Sequence, residues 1–357
     1  MAWCISCGKD SNLISKSLAL CVNCIRNNFD EIKEHIFNLH SSSRKSFNLP
    51  PYPPRAENGV KCGVCVNRCN IPDGEGGFCG IRKNIDGEYK IEDGWLDWYY
   101  DPLPTNCVAD WVCTGSRDYG KNNLAVFYRS CTFDCLFCQN WHFKEKMGGI
   151  RMEPEELAAK VDVQTGCICF FGGDPTSQIE HSIRTSELAL ERRNVRICWE
   201  TNGSMNRIFL KKMIELSLKS GGCIKFDLKT WNEKLNIGLC GVSNKQTLEN
   251  FEYAASFIPK RKESPLIVAS TLLVPGYTDL NEVKNIAKFI ASLDRDIPYS
   301  LLGFYPHFLM NDLPKTSKDH VYRAEKVAQD EGLNRLRIGN PHLLSSAYTV
   351  EEKEAQK

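Results

Sequence analysis

The sequence contains no hydrophobic run long enough to cross a bilayer, which needs roughly 18 or more apolar residues. It also lacks the apolar core of a signal peptide near its N-terminus. Neither sign of charge is in excess, since 45 Lys and Arg stand against 44 Asp and Glu. A chain with this balance has no basic field of the kind that follows nucleic-acid or membrane phosphates. We therefore expect a cytoplasmic protein with neither a membrane nor a nucleic acid as its partner.

Low-complexity and repeated segments are also missing, and hydrophobic and charged residues make up 42% and 25% of the chain. These values are ordinary for globular proteins, which excludes a disordered or fibrous chain. At roughly 100 to 200 residues per domain, the length of 357 residues allows one large domain and one or two small ones.

Cysteine is the residue that the sequence has in excess, with 18 in all. In a reducing compartment, thiols persist as metal ligands, catalytic groups or buried apolar side chains rather than as disulfides. Five later cysteines have no ligand spacing and are expected to be buried: Cys167, Cys169, Cys198, Cys223 and Cys240. Metal-ligand spacing occurs in three earlier sets: Cys4, Cys7, Cys21 and Cys24; Cys62, Cys65, Cys69 and Cys79; and Cys131, Cys135 and Cys138.

Short β-rich runs alternate with amphipathic helical runs from about residue 122 onward. Such alternation predicts a parallel α/β sheet or barrel, which binds its ligands at the carboxyl ends of the strands. The strand candidates are residues 124–128, 167–171, 195–200, 223–228, 266–274, 299–304 and 336–338. The helix candidates are residues 29–39, 154–161, 181–192, 208–218, 247–257, 280–293 and 318–331.

These patterns divide the chain into four expected parts. Residues 1–48 would hold a metal site and a helix, and residues 49–120 would form a cysteine-rich leader. Residues 121–345 would form the α/β core, and residues 346–357 a charged tail.

The first cysteine set has the spacing of a zinc ribbon, in which two CxxC turns bring four thiolates around one ion. Cys4 and Cys7 form one pair, and Cys21 and Cys24 form the other. Because four thiolates also accept iron, the spacing indicates a metal without identifying it. We expect a small structural domain held by zinc or iron, since so short a segment has little core of its own.

The second set, Cys62 to Cys79, offers four more thiolates and is followed by Gly80-Ile81-Arg82. It is expected to bind a second metal, either zinc or an auxiliary iron–sulfur cluster that relays electrons. Cys107 and Cys113 are candidates to supplement this site, or are simply buried or exposed thiols.

The third set is a CxxxCxxC triplet that comes directly after the first core strand. Three thiolates can hold three irons of a [4Fe–4S] cluster, whereas full protein ligation uses four. The open iron can bind the amino and carboxylate groups of S-adenosylmethionine. An electron from the cluster then breaks a carbon–sulfur bond and gives a 5′-deoxyadenosyl radical, which abstracts hydrogen from C–H bonds. A zinc site or packed cysteines are the alternatives, and the position after a strand favours the cluster.

Further motifs lie at the ends of predicted strands. They are Gly172-Gly173-Asp174-Pro175, Glu200-Thr201-Asn202-Gly203, Asp227-Leu228-Lys229 and Val274-Pro275-Gly276-Tyr277-Thr278-Asp279. Together with the triplet, and in this order, they resemble the radical S-adenosylmethionine (radical SAM) superfamily, specifically its pyruvate formate-lyase activating enzyme-like branch. The resemblance covers about residues 122–340 and implies a partial (β/α)6 TIM-type barrel.

The resemblance assigns roles to these residues. The loop from Gly172 to Pro175 corresponds to the one that binds the methionine amino group, with Asp where the family has Glu. Glu200 and Asn202 would lie beside the cofactor, Asp227 would help to hold it, and Lys229 would help to hold its carboxylate. No catalytic side chain is assigned.

Without the resemblance, the same residues have plainer interpretations. A Gly-Gly pair is often only a tight turn, and charged residues at strand ends could form a solvated ion-pair cluster. His307 resembles a family histidine that can approach the cofactor, but a lone histidine is more often structural. The sequence also departs from the family at Ala269-Ser270-Thr271, where activating enzymes can place an arginine.

The second cysteine set, with Gly80 and Arg82, resembles the leader of the AmmeMemoRadiSam group of radical SAM proteins. The combined resemblance implies an enzyme that cleaves SAM reductively and abstracts hydrogen from a peptide or protein. The outcome would be glycyl-radical activation or a C–H modification such as methylation, with electrons from a reductase or a flavodoxin/ferredoxin-type donor. No DxHxxG signature is present, so cobalamin is not expected. The alternative is a non-catalytic zinc or iron–sulfur adaptor or electron-transfer protein on the same scaffold.

Overall fold

The computed structural model describes residues 2–105, 107–145 and 149–350. The β-strands in these residues are β1 (Ala2–Trp3), β2 (Asp10–Ser11), β3 (Val60–Lys61), β4 (Asn70–Ile71), β5 (Arg82–Ile85), β6 (Glu88–Ile91), β7 (Trp95–Pro102), β8 (Asn122–Tyr128), β9 (Ile150–Arg151), β10 (Thr165–Phe171), β11 (Arg196–Thr201), β12 (Ile224–Asp227), β13 (Ile267–Leu273), β14 (Tyr299–Gly303) and β15 (Leu336–Gly339). The α-helices are α1 (Val22–Asn27), α2 (Phe29–Lys45), α3 (Pro154–Ala158), α4 (Ile179–Arg192), α5 (Arg207–Ser220), α6 (Glu233–Cys240), α7 (Lys245–Ala255), α8 (Leu280–Leu293) and α9 (Lys318–Asp330).

The core is a nine-stranded sheet in the order β15-β14-β13-β12-β11-β10-β8-β7-β9. Strands β8 and β10 to β15 run parallel, whereas β7 pairs antiparallel with β8 and β9. Helices connect the successive parallel strands, as a sheet built from βαβ units requires. The expected α/β class is confirmed, and the sheet contains seven parallel strands in the residues that the structure describes.

The two faces of the sheet are buried differently because side chains alternate along a strand. On β10, Ile168 and Phe170 are fully buried in the main core that the helices cover. Cys167 and Cys169 point to the other face, where they belong to a separate small apolar cluster. This inner face holds the polar and thiol side chains considered below.

All the strands and helices expected from the sequence are present, with ends that differ by a few residues. The elements α1, α6, β7 and β9 and the short strands β1 to β6 were not expected from the sequence. The expected boundary at residue 121 cuts across the sheet, because β7 begins at Trp95 and pairs along the whole of β8. The leader and the core therefore share one sheet.

The expected charged tail begins later than residue 346. Tyr348 lies with its hydroxyl 2.8 Å from Nδ1 of His320 in α9, and the backbone N–H of Val350 donates to Asp319 at 2.7 Å. These contacts hold residues 346–350 against the core. Residues 351–357 of the expected tail lie outside the described residues.

The N-terminal segment packs on the core through α1 and α2. Arg26 of α1 donates to Asp279 at 2.6 Å and 2.8 Å and to Glu282 at 2.7 Å. Asp279 also caps α8 by accepting from the N–H of Glu282. Gly276 lies so close to Leu13 that a Cβ there would be 2.1 Å from the carbonyl oxygen of Leu13. The segment from Val274 to Asp279 is therefore a docking surface for the N-terminal residues.

No helix in the described part of the chain is long and apolar enough to span a membrane.

Candidate active site and metal centres

The triplet lies at the carboxyl end of β8, where parallel α/β folds place their ligands. Cys131, Cys135 and Cys138 line one cavity of about 290 Å³. The loop that carries them is pinned to the end of α6, because the N–H groups of Asp134 and Leu136 donate to the carbonyls of Cys240 and Leu239 at 2.9 Å.

The arrangement of the three thiols fits a cluster better than a single ion. All three are described, and their sulfurs do not all lie within 4.8 Å of one another, whereas the thiolates of a cluster bind different irons and are spread apart. Cys131 Sγ accepts from the N–H of Phe133 at 3.4 Å. Burial raises the pKa of Cys131, and it raises that of Cys138 to about 11. A bound cation would therefore be needed to keep these thiols ionised.

Asp134, within the triplet loop, is fully buried and tied to the N-terminal segment. Its carboxylate lies 2.9 Å from Nδ1 of His40 in α2 and accepts from Lys144 Nζ at 2.6 Å. Arg44, also in α2, approaches to 3.9 Å. Burial alone would raise the pKa of Asp134, but His40 and these cations lower it to about 2. The N-terminal helix thus helps to set the conformation of the triplet loop.

Gly172 and Gly173 follow β10 and must be glycines. Both have positive φ, +65° and +53°, a region that side chains disfavour. A Cβ on Gly172 would be 2.1 Å from the Phe127 ring, and one on Gly173 would be 2.2 Å from the carbonyl oxygen of Ser130. The turn is therefore pressed against the residue that precedes Cys131.

The carboxylate of Asp174 is engaged in hydrogen bonds that connect this turn to the turn after β11. It accepts from the N–H groups of Thr176 at 2.8 Å and Asn202 at 2.6 Å, and from the Thr201 hydroxyl at 3.1 Å. Its side chain is 2% exposed, and burial raises its pKa. Asp174 therefore positions the turns after β10 and β11.

Four charged residues form a row across the cavity wall, with alternating signs. Lys225 donates to Glu200 at 2.6 Å and approaches Asp227 at 3.3 Å, and Lys229 lies 3.3 Å from Asp227 on its other side. Burial raises the pKa of Asp227, but the two lysines outweigh it and hold that pKa well below its usual value. The row is largely buried, unlike the solvated ion-pair cluster that was one interpretation of the sequence.

Lys225 was not among the expected site residues. Its spacing could have revealed it, because residues two apart on a strand share a face, and Asp227 was expected at the site. Ser270, from the segment where the family can place an arginine, donates to Asp227 at 2.7 Å. The cations in this part of the cavity are the two lysines on and after β12.

Asn202 joins the cavity to the triplet. Its Nδ2 donates to the Thr132 hydroxyl at 2.9 Å and lies 3.8 Å from Cys131 Sγ. The structure thus brings together the triplet and the expected residues from Gly172 to Asp174, Glu200, Asn202, Asp227 and Lys229 around one cavity.

Pro175 and His307 are not among the side chains that line this cavity. Pro175 opens the short 3-10 helix after Asp174. His307 precedes another short 3-10 helix, and its ring lies 5.2 Å from that of Tyr305. Their expected contacts with the cofactor stay predictions.

The first cysteine set forms a compact group. In the part of the chain that the structure describes, Cys4, Cys7, Cys21 and Cys24 are the one group of potential ligands whose atoms all lie within 4.8 Å. Cys7 and Cys21 are 3.8 Å apart between sulfurs, close to the edge of a tetrahedron with Zn–S bonds of about 2.3 Å. Burial raises the pKa of Cys4, but backbone hydrogen bonds, led by that of Cys21, lower it to about 6. The set is suited to hold a metal ion.

The second set is more widely spaced. Cys62, Cys65 and Cys69 line an open groove, and Cys69 Sγ accepts from the N–H of Phe78 at 3.3 Å. Cys79 lies apart from this groove and lines a small cavity together with Cys131 of the triplet. The second set therefore adjoins the candidate active site.

Comparison with known proteins agrees with this geometry. Residues 125–290 match the Radical SAM superfamily. The chain is 27% identical over 301 residues to an uncharacterized protein of Methanocaldococcus jannaschii, covering 81% of this chain and 84% of that protein. It is 27% identical over 232 residues to the pyruvate formate-lyase 1-activating enzyme of Escherichia coli, covering 61% of this chain and 91% of that enzyme.

Another relative is a putative glycyl-radical enzyme activating enzyme of M. jannaschii, 26% identical over 58% of this chain and 77% of that protein. Among solved structures, a domain of a pyruvate-formate lyase-activating enzyme from Bacteroides vulgatus aligns with a TM-score of 0.41 and 20% identity, covering 49% of this chain and 99% of that one. The chain therefore matches the Radical SAM superfamily over residues 125–290 and is similar to the pyruvate formate-lyase activating enzymes.

Proposed function

We propose that the protein is an enzyme that binds a [4Fe–4S] cluster and SAM side by side in the cavity after β8, and abstracts hydrogen from a peptide or protein. The observation that carries the proposal is the shared cavity. Cys131, Cys135 and Cys138 line it together with Gly172, Gly173 and the charged row. When bound, the cluster supplies the electron that cleaves SAM to a 5′-deoxyadenosyl radical.

The protein's own residues bind and orient SAM. The turn at Gly172 and Gly173 exposes backbone groups that suit the methionine amino group, and Asp174 holds this turn in place. Lys225 and Lys229 offer the positive charge that a methionine carboxylate needs. Asn202, beside Cys131, orients the cluster ligand through its amide.

Apolar side chains at the same cavity support a shielded radical reaction. Phe137, Phe171, Leu272 and Leu302 line it, and an apolar wall excludes water from reactive intermediates. The names of two relatives, activating enzymes for pyruvate formate-lyase and for a glycyl-radical enzyme, favour a protein or peptide as the substrate. Glycyl-radical formation and C–H modification such as methylation are both within this class.

We assign the remaining metals on the same reasoning. Zinc is the ion proposed for the first cysteine set, because the sulfur spacing matches tetrahedral thiolate ligation. An auxiliary iron–sulfur cluster is proposed for the second set, which adjoins the triplet through Cys79 and would pass electrons from a reductase or a flavodoxin/ferredoxin-type donor.

The direct test is reductive cleavage of SAM. Anaerobically purified, iron–sulfide-reconstituted protein is given dithionite and SAM, and 5′-deoxyadenosine is quantified. The parent protein should form it and Cys138→Ala should not, while the zinc content stays the same. Ser186→Ala, a change at a fully buried residue of α4 that does not line the cavity, is the matched control and should retain cleavage. Undiminished cleavage by Cys138→Ala would overturn the cluster assignment.

The substrate class is tested by isotope transfer. Extracts of cells grown in deuterated medium are separated into a macromolecular and a low-mass fraction, and each is added to the assay. Deuterium in 5′-deoxyadenosine from the macromolecular fraction is the expected result. Deuterium from the low-mass fraction alone would contradict a peptide or protein substrate.

A further inference from the structure

Six cysteines meet on the inner face of the sheet, at the end opposite to the expected SAM contacts. We name this group the thiol chamber: Cys107, Cys113, Cys167, Cys169, Cys198 and Cys223 line a single cavity of about 30 Å³. A cavity needs about 10–15 Å³ to hold one water-sized occupant. The chamber therefore has room for an occupant among its sulfurs.

The chamber is built by strand register. Cys169 and Cys198 are direct partners on β10 and β11. Because Trp199 pairs with Ile224, Cys223 lies beside Cys198 at the start of β12. Three neighbouring strands thus place a row of thiols on one face, and all three side chains are less than 10% exposed.

The loop between β7 and β8 closes the chamber with two more thiols. The sulfurs of Cys107 and Cys113 accept hydrogen bonds from the N–H groups two residues later, Ala109 at 3.4 Å and Gly115 at 3.3 Å. Cys131 of the triplet makes the same contact with the N–H two residues after it, at 3.4 Å. N–H groups aimed at sulfur stabilise thiolates, so these loops share a feature of cluster-binding turns.

Charge around the chamber also suits an anionic centre. Arg261 donates to the carbonyls of Ser217 and Gly222 at 2.8 Å and 2.6 Å, and no described carboxylate lies within 4.0 Å of its guanidinium group. It is close enough to Cys113, Cys198 and Cys223 to act on all three thiols.

Ordinary core packing does not account for this composition. The interior of a parallel barrel is usually filled by bulky branched side chains in layers, whereas here the lower layer is thiol and encloses a cavity. Cys167, Cys169, Cys198 and Cys223 are buried, as expected from the sequence. Cys107 and Cys113 were expected either as additions to the second set or as buried or exposed thiols. The structure also brings all six together around one cavity.

We propose that the thiol chamber is a binding site for a thiophilic metal centre, separate from the triplet and from the two N-terminal cysteine sets. Thiolates take zinc as a single ion or iron as an iron–sulfide cluster. No three chamber sulfurs lie within 4.8 Å of one another, in contrast to the first cysteine set. A centre bound by three or more of these thiols would therefore draw them closer together or bind them to different metal atoms.

The active-site cavity adjoins the chamber through Glu200. Cys107 Sγ lies 3.7 Å from Oε1 of Glu200, whose other oxygen accepts from Lys225. The ion pair of Glu200 and Lys225 therefore separates the chamber from the SAM cavity. The two sites are neighbours along the axis of the sheet.

Metal content tests the proposal. In the full chain with the three triplet cysteines replaced by alanine, iron and zinc are measured after anaerobic reconstitution, with and without the further changes Cys198→Ala and Cys223→Ala. The double change should remove metal and its thiolate-to-metal absorption, whereas Cys240→Ala on the same background should not. Iron with sulfide identifies a cluster, and zinc without sulfide identifies an ion; either, if lost with these thiols, supports the site.

Three further measurements guard against a folding artefact. Circular dichroism checks that the variants are folded, and Cys113→Ala, which changes the closing loop and leaves the strands intact, should also lower the metal content. Crystals of the parent protein should show an anomalous-scattering peak among Cys113, Cys198 and Cys223. Metal content unaffected by folded variants, or a chamber without such a peak, would overturn the proposal.

Discussion

The imidazole of His40 lies 2.9 Å from the carboxylate of Asp134, although 94 residues separate them in the chain. Its other ring nitrogen is 3.1 Å from the carbonyl oxygen of Gly238 in α6. His40 therefore joins the N-terminal helix, the triplet loop and the helix that supports that loop. The cysteine-rich N-terminal region contributes directly to the architecture of the candidate active site.

Replacing His40 by alanine should weaken both folding and cluster retention. The buried Asp134 would lose a partner, which costs about 1–3 kcal/mol in the free energy of unfolding, and the triplet loop would be held less firmly. Chemical denaturation and iron content measure the two effects. His35 lies on the same helix as His40, and His35→Ala removes a contact with the Leu18 carbonyl. This control variant should lower stability without lowering iron content. Equal iron loss in both variants would contradict the special role of His40.

Lys225→Met should weaken SAM binding. The change removes the cation between Glu200 and Asp227 and leaves two carboxylates facing the cofactor cavity. We expect at least about a tenfold rise in Kd, equivalent to about 1.4 kcal/mol, measured by equilibrium dialysis on the reconstituted protein. Lys211→Met, on the exposed face of α5, is the control. Unchanged affinity in Lys225→Met would mean that this lysine does not serve the cofactor.

Gly173→Ala should be far more harmful than a change at another glycine with positive φ. The new Cβ would collide with the backbone of Ser130 and Tyr128, so the turn and the triplet loop cannot keep their present approach. Gly120 has φ +83° and open space around it, so Gly120→Ala should show only the backbone strain of about 1–2 kcal/mol. Thermal unfolding and 5′-deoxyadenosine formation distinguish the two. Equal losses would show that close approach at Gly173 is unimportant.

Cys7→Ser should remove the N-terminal metal and lower the melting temperature. The metal proposed for this set would hold the segment that docks on Tyr277. The Tyr277 hydroxyl accepts from the Ser15 N–H at 3.0 Å and donates to the Leu20 carbonyl at 3.0 Å. Zinc analysis and calorimetry measure the effects, with Lys9→Ala as an exposed control nearby. A Cys7→Ser protein with full zinc content would contradict the assignment of this set.

The parallel strands, β8 and β10 to β15, and most helices could be predicted from the sequence because hydrophobic periodicity reports which face of an element is buried. The positions of Glu200 and Asp227 at strand ends likewise followed from the order of elements. Lys225 escaped notice because it stands inside a predicted strand, where a charge has no motif to mark it. Only the register of β12 against β11 shows that it lies between the two carboxylates.

The thiol chamber could not be predicted for a related reason. Ligand spacing along the chain reveals sites built from one or two turns, such as the zinc-ribbon set. Cys169, Cys198 and Cys223 come from three strands, and their proximity depends on sheet order and register.

The role of Asp174 was also hidden. The resemblance of the Gly172–Pro175 loop to a cofactor-binding loop does not show that the Asp174 carboxylate is fully engaged in joining two turns.

The most direct test of the account is electron paramagnetic resonance of the reduced, reconstituted protein with and without SAM. We expect a [4Fe–4S]⁺ signal that changes when SAM is added, because SAM would bind the iron that the triplet leaves open. The SAM-sensitive signal should vanish when Cys131, Cys135 and Cys138 are replaced by alanine. Absence of any SAM-sensitive signal from the parent protein, or its persistence in the variant, would contradict the assignment of the active site.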